Sequence, residues 1–437
     1  MLPGSGPPPR RGFLRGPRRE AFGKRLNPAM TVFQYRCSRC GRTYGRDEVR
    51  YLCPECGRDY APGMPLRGVL EAEFDYALIA RSFDRSRPDW DLFSAVEREH
   101  YPAFPVGGTP FAPAPRLCER LGWANLWVKN DGQNPSGSLK DRASFLVVAE
   151  AARLGEKTVV AASTGNAASS LAAVCAAAGR RAVIFVPQSA PQAKLVQMLL
   201  CGARVIRIKG SYDDAFRLSL EYTRRRGGLN RNTAYHPLTI EGKKTVGLEI
   251  FAQNGMRVPE AILVPVGDGV IISGVFKAFR DLRAAGLCER LPRLVAVQAE
   301  SSAAIHDYIV SGSFRPAYSP TTVADSISVS VPSNPDLARR AVLESGGFSL
   351  TVGDERILEA QSLLAREAGI FAEPAAAAAA AALLADEARE RLDRDGQVVL
   401  LVTGHGLKDV RTPLSRLTIP EPIPADIEAL PPETEEA

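Results

Sequence analysis

Between about Leu66 and Leu417, short runs of aliphatic and β-branched residues alternate with longer runs whose apolar positions recur at helical spacing. Strands are predicted at residues 126–129, 158–161, 182–186, 205–208, 261–266, 294–298 and 398–402. Several are apolar at nearly every position, as strands covered on both faces are. Helical spacing intervenes, for example at 168–178, 190–201 and 272–285. This alternation predicts an α/β fold of helix-flanked, largely parallel sheets. No internal repeat is evident.

Composition sets the two ends apart. Residues 1–30 are rich in Pro, Gly and Arg and carry seven bases (Arg10, Arg11, Arg15, Arg18, Arg19, Lys24, Arg25) against Glu20. Such a stretch cannot bury enough surface to offset its ordering entropy, so it is expected to be a disordered basic leader. Met30 is an alternative start. The formal charge of +6 lies wholly in this leader, which leaves 48 bases against 48 acids in the rest. The body is therefore electrically balanced, and nucleic-acid binding is not expected of it; a basic arm is the one alternative. Residues 416–437 are Pro-rich and acidic and read as a solvated tail. No run approaches the roughly 18 apolar residues of a membrane span, and the alanine run Ala375 to Ala382 is too short and too weakly hydrophobic.

Eight cysteines fall into two groups. Cys118, Cys175, Cys201 and Cys288 are scattered, as buried reduced thiols are. With no export signal, a reducing cytoplasm is expected. Cys37, Cys40, Cys53 and Cys56 form two C-x-x-C-G knuckles within YRCSRCGRTYGRDEVRYLCPECGRDY. Each knuckle presents two thiolates to one tetrahedral Zn²⁺, and four thiolates leave the metal no open position, so the zinc would be structural. Two disulfides are the alternative, which a reducing compartment disfavours.

Four further segments carry candidate chemistry. NPSGSLKDR (Asn134 to Arg142) places Lys140 after a Gly/Ser turn at a helix start, where the dipole disfavours a protonated amine. STGNA (Ser163, Thr164, Gly165, Asn166, Ala167) passes from a strand end into a helix and suits a substrate carboxylate. VPVGDGVIIS brings Gly267, Asp268, Gly269, Val270 and Ile271 to a strand–turn–helix junction where successive amides can face a phosphate. TGHGLKD sets Thr403 at a strand's carboxyl end, where ligands of open α/β sheets gather. Each alone also reads as an ordinary loop or capped helix.

In order and spacing these segments resemble the fold-type II pyridoxal-5′-phosphate (PLP) enzymes, and within them the threonine synthases; GIFAEP (Gly369 to Pro374) is similar to a further segment of that family. The resemblance spans about Gly107 to Asp409, and many such synthases carry an N-terminal zinc ribbon. It implies that Lys140 carries the cofactor and acts as base at the substrate Cα. It implies too that Asn166 bonds the PLP 3′-oxygen, that residues 267–271 wrap its phosphate, that Thr403 faces the pyridine nitrogen, and that Ser163, Thr164 and Ala167 lie on the substrate side.

The implied organisation is a zinc ribbon (31–62), a large PLP-binding domain (63–140 with 237–415) and a small domain (141–236), assembled as a homodimer. The implied reaction is O-phospho-L-homoserine plus water to L-threonine and phosphate. Val270 and Ile271 stand where the family shows a further Gly-Asn, Ala167 where it shows a hydroxyl, and Thr239 where it often holds an arginine. The last two losses open an alternative, β-elimination or β-replacement on serine, threonine, phosphoserine or a related amino acid. A synthase would need phosphate ligands elsewhere, with Lys129, Lys243 and Lys244 as candidates.

Overall fold

The computed structural model describes residues 33–430 except 62, 189, 191, 319, 428 and 429. The basic leader expected at residues 1–30 lies outside the described residues, as do residues 431–437 of the acidic tail.

Thirteen strands are described: β1 Phe33–Cys37, β2 Thr43–Gly45, β3 Leu70–Phe74, β4 Phe111–Pro113, β5 Leu126–Asn130, β6 Thr158–Ala162, β7 Arg181–Pro187, β8 Arg204–Ile208, β9 Leu229–Asn230, β10 Ala261–Pro265, β11 Arg293–Ala299, β12 Phe348–Val352 and β13 Val398–Val402. The expected parallel layers are present. One sheet runs β12-β11-β10-β13-β5-β4, parallel throughout except where β4 pairs antiparallel with β5. A second runs β8-β7-β6-β9, all parallel. The third, β2-β1-β3, is antiparallel and holds the cysteine knuckles. β10 and β13 are buried at every position because helices cover both faces. The alanine run forms the helix Pro374–Ala381, buried all round against that sheet, as expected of a helix apolar on every side. Among the described residues no helix is long and apolar enough to cross a membrane.

Three helices support the functional region: Lys140–Arg153, Leu238–Gln253 and Val270–Ala284. They pack closely because glycines stand at the contacts. A Cβ on Gly242 would meet the Arg142 carbonyl oxygen at 2.3 Å, and one on Gly274 would meet the Lys243 Cβ at 2.8 Å. Buried ion pairs lock the same helices. Arg142 bonds Asp131 at 2.6 and 2.9 Å and Glu249 at 2.8 Å, while Lys129 bonds Glu249 at 2.7 Å. Lys244 and Lys277 share Glu241 and Asp281 and lie over the Phe74 ring.

The antiparallel sheet docks on this body rather than standing apart. Arg46 reaches Glu97 and Glu150, Arg50 reaches Glu156, and Tyr51 stacks on Tyr235 with ring centroids 4.5 Å apart.

Candidate active site

A cleft of about 550 Å³ opens between the two parallel sheets. Lys140 lines it from the first position of its helix, and the loop before it is held rigidly. Gly137 has φ +83° and donates to the Asn134 carbonyl at 2.7 Å. The Asp141 carboxylate accepts from Ser136 N–H at 2.7 Å, and the Leu139 N–H donates to the Thr403 carbonyl at 2.9 Å. Burial is the main reason the Lys140 amine is held below the ordinary lysine range; Glu373 and Asp268 oppose that shift, and Arg231 adds to it. An amine so placed gives up its proton more readily than a surface lysine.

Opposite stands the turn Ser163 to Ala167, all five residues of which line the cleft. Gly165 N–H donates to Ser163 Oγ at 3.3 Å, and the helix Asn166–Ala177 starts there, so its first amides face the opening. Gly267 to Ile271 form the floor and lead into Val270–Ala284. Gly269 takes φ +82°, and a Cβ there would meet the Asn334 carbonyl oxygen at 2.7 Å, so the turn depends on glycine. The Asp268 carboxylate accepts from Ser333 N–H at 3.0 Å, which pins the neighbouring wall. Thr403 is buried just behind Leu139 and is not among the lining residues.

Of the three lysines considered for a phosphate, two are committed elsewhere. Lys129 is paired to Glu249, and Lys244 belongs to the Glu241–Asp281 network. Lys243 is buried, lines the cleft, and makes no ion pair among the described residues. Its amine is held well below the ordinary range, first by burial and then by Lys140 and Arg231. Thr239 does not reach the cleft: its hydroxyl donates to the His236 carbonyl at 2.8 Å and accepts from Ala234 N–H at 3.0 Å.

Arg231 stands behind the wall formed by Thr233, to which it donates at 3.1 Å, and its Nη2 is buried with no partner among the described residues. Burial lowers Arg231 to about 10. Buried cations without carboxylate partners are costly unless an anion completes them. Together with the amide-rich turns, they fit a phosphorylated cofactor and an anionic substrate.

The family described as pyridoxal-phosphate dependent enzyme matches residues 103–404. A threonine synthase of Methanosarcina acetivorans is 36% identical over 407 residues, covering 91% of this chain and 98% of that protein. One from Methanocaldococcus jannaschii is 34% identical over 412 residues, covering 90% and 98%. The chain belongs to the pyridoxal-phosphate-dependent enzymes, and among them to the threonine synthase family. Solved structures agree on the fold: maize serine racemase superposes with TM-score 0.60 at 24% identity over 70% of this chain and 91% of that one. A tomato (Solanum lycopersicum) threonine deaminase gives 0.60 at 22% over 70% and 86%.

Lys140, Asn166 and residues 267–271 of this threonine synthase relative line one cleft, whereas Glu373 and Arg231 have no role among the sequence expectations. Glu373 is buried within GIFAEP, and its carboxylate accepts from Asn166 Nδ2 and from Ser326 Oγ. Burial raises its pKa, against Asn166 and Lys140. The only signal for Arg231 was a polar cluster, Asn230 to Thr233, directly after an apolar residue.

The four knuckle cysteines come together with all their Sγ atoms within 4.8 Å of one another. Cys40 and Cys53 Sγ are 3.8 Å apart, close to the edge of a tetrahedron of Zn–S bonds of about 2.3 Å, and too far for a disulfide. Backbone N–H groups of Arg39, Cys40 and Cys56 donate to the sulfurs of Cys37 and Cys53. The cluster is compatible with zinc. The scattered cysteines are all unpaired, and only Cys175 among them is fully buried.

Proposed function

We propose that this protein converts O-phospho-L-homoserine and water to L-threonine and phosphate, with PLP held between the two parallel sheets and a structural zinc held by Cys37, Cys40, Cys53 and Cys56. The observation that carries the reading is the buried, carboxylate-free Lys243 in the cleft that Lys140 lines, with Arg231 behind its Thr233 wall: these cations suit the phosphate of the substrate in addition to that of the cofactor. They replace the arginine and hydroxyl that Thr239 and Ala167 lack.

The first-turn amides of Val270–Ala284, with Gly267, Asp268 and Gly269, would hold the cofactor phosphate, Asn166 the ring oxygen and Thr403 the pyridine nitrogen. Bound there, PLP supplies an electron sink for charge developing at the amino-acid Cα. Ser163, Thr164 and the N-terminus of Asn166–Ala177 orient the substrate carboxylate, with Ala167 beside them. Lys140 Nζ takes and returns the Cα proton, as its depressed pKa allows. Lys140 Nζ would likewise take a Cβ proton as the Cγ–O bond breaks and phosphate leaves against Lys243 and Arg231; Cγ is then protonated, and water adds at Cβ to complete L-threonine. A hydroxyl rather than a carboxylate near the ring nitrogen favours elimination chemistry.

The large unit would comprise residues 63–140 with 237–415, the small unit 141–236 and the ribbon 31–62, in a cytoplasmic homodimer. The deciding experiment assays phosphate and threonine release from O-phospho-L-homoserine. Wild-type enzyme should give both, and Lys140→Ala neither, with loss of the cofactor's visible band. A band with product from L-serine or O-phosphoserine but none from phosphohomoserine would move the assignment to β-elimination or β-replacement.

A further inference from the structure

One short stretch of chain joins the cysteine cluster to the cleft. It leaves the second knuckle at Gly57, whose N–H donates to the Cys53 carbonyl at 2.8 Å. It returns at Gly68, whose carbonyl accepts from the Cys53 N–H at 2.8 Å. Gly68 has φ +73°, and a Cβ there would meet those of Cys56 and Cys53 at 2.8 and 2.9 Å. One residue on, the Val69 carbonyl accepts from Ser38 N–H of the first knuckle at 3.0 Å. Both knuckles therefore grip the base of the same excursion.

Between those ends, Tyr60, Gly63, Met64 and Leu66 line the cleft that Lys140 lines from the other side. The Tyr60 ring packs on Phe216 with centroids 6.2 Å apart. Leu66 N–H donates to the Ser333 carbonyl at 3.1 Å, beside the amide that Asp268 holds. Among its described residues the excursion forms no helix or strand, and the internal backbone bonds are two turn contacts, Tyr60 to Gly57 and Met64 to Ala61. Its placement depends on its base as well as on those contacts. The four sulfurs lie within 4.8 Å of one another, and a cation that neutralises their thiolates would tie both knuckles, and with them the base, together.

We propose that Tyr60, Met64 and Leu66 are a substrate-facing wall positioned by the metal at Cys37, Cys40, Cys53 and Cys56, so that emptying the cysteine site weakens substrate binding and spares cofactor binding. The inference rests on the reading of the cleft given above. The selectivity follows from topology: Lys140, Asn166, residues 267–271 and Thr403 all come from the two parallel sheets and the helices after their strands, and none from the ribbon.

The test compares holoenzyme carrying its metal with holoenzyme stripped by a chelator, following hydrogen exchange across residues 57–68, the cofactor band, and KM and kcat for O-phospho-L-homoserine. Stripping should speed exchange in 57–68 by at least about tenfold, leave the band in place, and raise KM about tenfold with kcat within about threefold. Unchanged exchange in the stripped enzyme overturns the metal clamp.

Since stripping can unfold the whole ribbon, Tyr60→Ala is measured in metal-loaded enzyme. It should raise KM about tenfold at unchanged metal content, with Tyr60→Phe restoring it; an unchanged KM overturns the wall. If no variant and no wild-type enzyme makes threonine, the reaction assigned above has failed. Exchange then still decides the clamp, and the L-serine concentration that shifts the cofactor band, raised or not raised by Tyr60→Ala, decides the wall.

Discussion

The Glu373 carboxylate accepts from Asn166 Nδ2 with both oxygens, at 2.9 and 3.1 Å, so a buried acid fixes the amide assigned to the cofactor ring oxygen. A Cβ on Gly404 would meet Glu373 Oε1 at 2.3 Å, so that glycine makes room for the carboxylate. Glu373→Ala leaves the amide unguided. It should lower kcat about 10- to 100-fold, the equivalent of one hydrogen bond to a charged group, with a smaller change in KM. Glu373→Gln should recover part of the loss. Steady-state kinetics check both, and equal rates in wild type and Glu373→Ala would remove the positioning role.

Lys243 gives a prediction about pH. Its folded-state pKa is depressed, so between that value and the ordinary 10.5 the unfolded chain binds more protons than the folded one. Stability of the cofactor-free protein should therefore rise with pH across that window. Lys243→Met should flatten the rise and stabilise the cofactor-free protein by about 1 to 3 kcal/mol at pH 7, since an unpaired buried charge becomes an apolar side chain. The same variant should lose the stabilisation that added inorganic phosphate gives wild type. Thermal melts at pH 7 and 9, with and without phosphate, test the three statements together.

The parallel strands were legible because burial on both faces leaves unbroken apolar runs, as in β7, β10 and β13. β12, Phe348–Val352, was not: it is an edge strand with Ser349 and Thr351 alternating among its apolar residues. β4 and β9, at three and two residues, are too short to carry a period. The cysteine cluster was legible from spacing alone, since both halves of each knuckle are local. Arg231 and Glu373 were a different matter, as was the choice of Lys243 among the three lysines considered for a phosphate. Their importance lies in the carboxylates or amides that distant elements do or do not bring to them, and no sequence period encodes an absent partner. The ribbon's docking depends likewise on Tyr51 meeting Tyr235, far away in the chain.

Gly242 tests how tightly the supporting helices must pack. A Cβ would meet backbone, the Arg142 carbonyl oxygen at 2.3 Å and Ala143 Cα at 2.7 Å, and backbone cannot swing aside as a side-chain tip can. Gly242→Ala should destabilise by about 1 to 3 kcal/mol. Because it separates the helix bearing Lys243 from the one bearing Lys140, it should also raise KM. Denaturant unfolding alongside kinetics separates the two effects; retained stability and KM would show that the helices can move apart freely.

The buried Arg142 network predicts the acid limit of the fold. Burial alone would raise the Glu249 carboxyl, but hydrogen bonds and charge from Arg142 and Lys129 outweigh it and bring Glu249 to about 2 from the ordinary 4.5. A carboxylate with a depressed folded pKa adds stability that is present above the unfolded value and lost as pH falls towards the folded one. The network should therefore hold at pH 5 and weaken progressively between about 4.5 and 2. Arg142→Leu removes the donors and leaves Asp131 buried beside one hydroxyl, Thr109. The loss should be about 3 to 5 kcal/mol at pH 7, as for a buried pair broken on one side. With Glu249 then less depressed, the variant's stability should also begin to fall at higher pH. Urea unfolding from pH 7 down to 3 reads both quantities, and coincident pH profiles for wild type and variant would show that Lys129 alone holds Glu249 down.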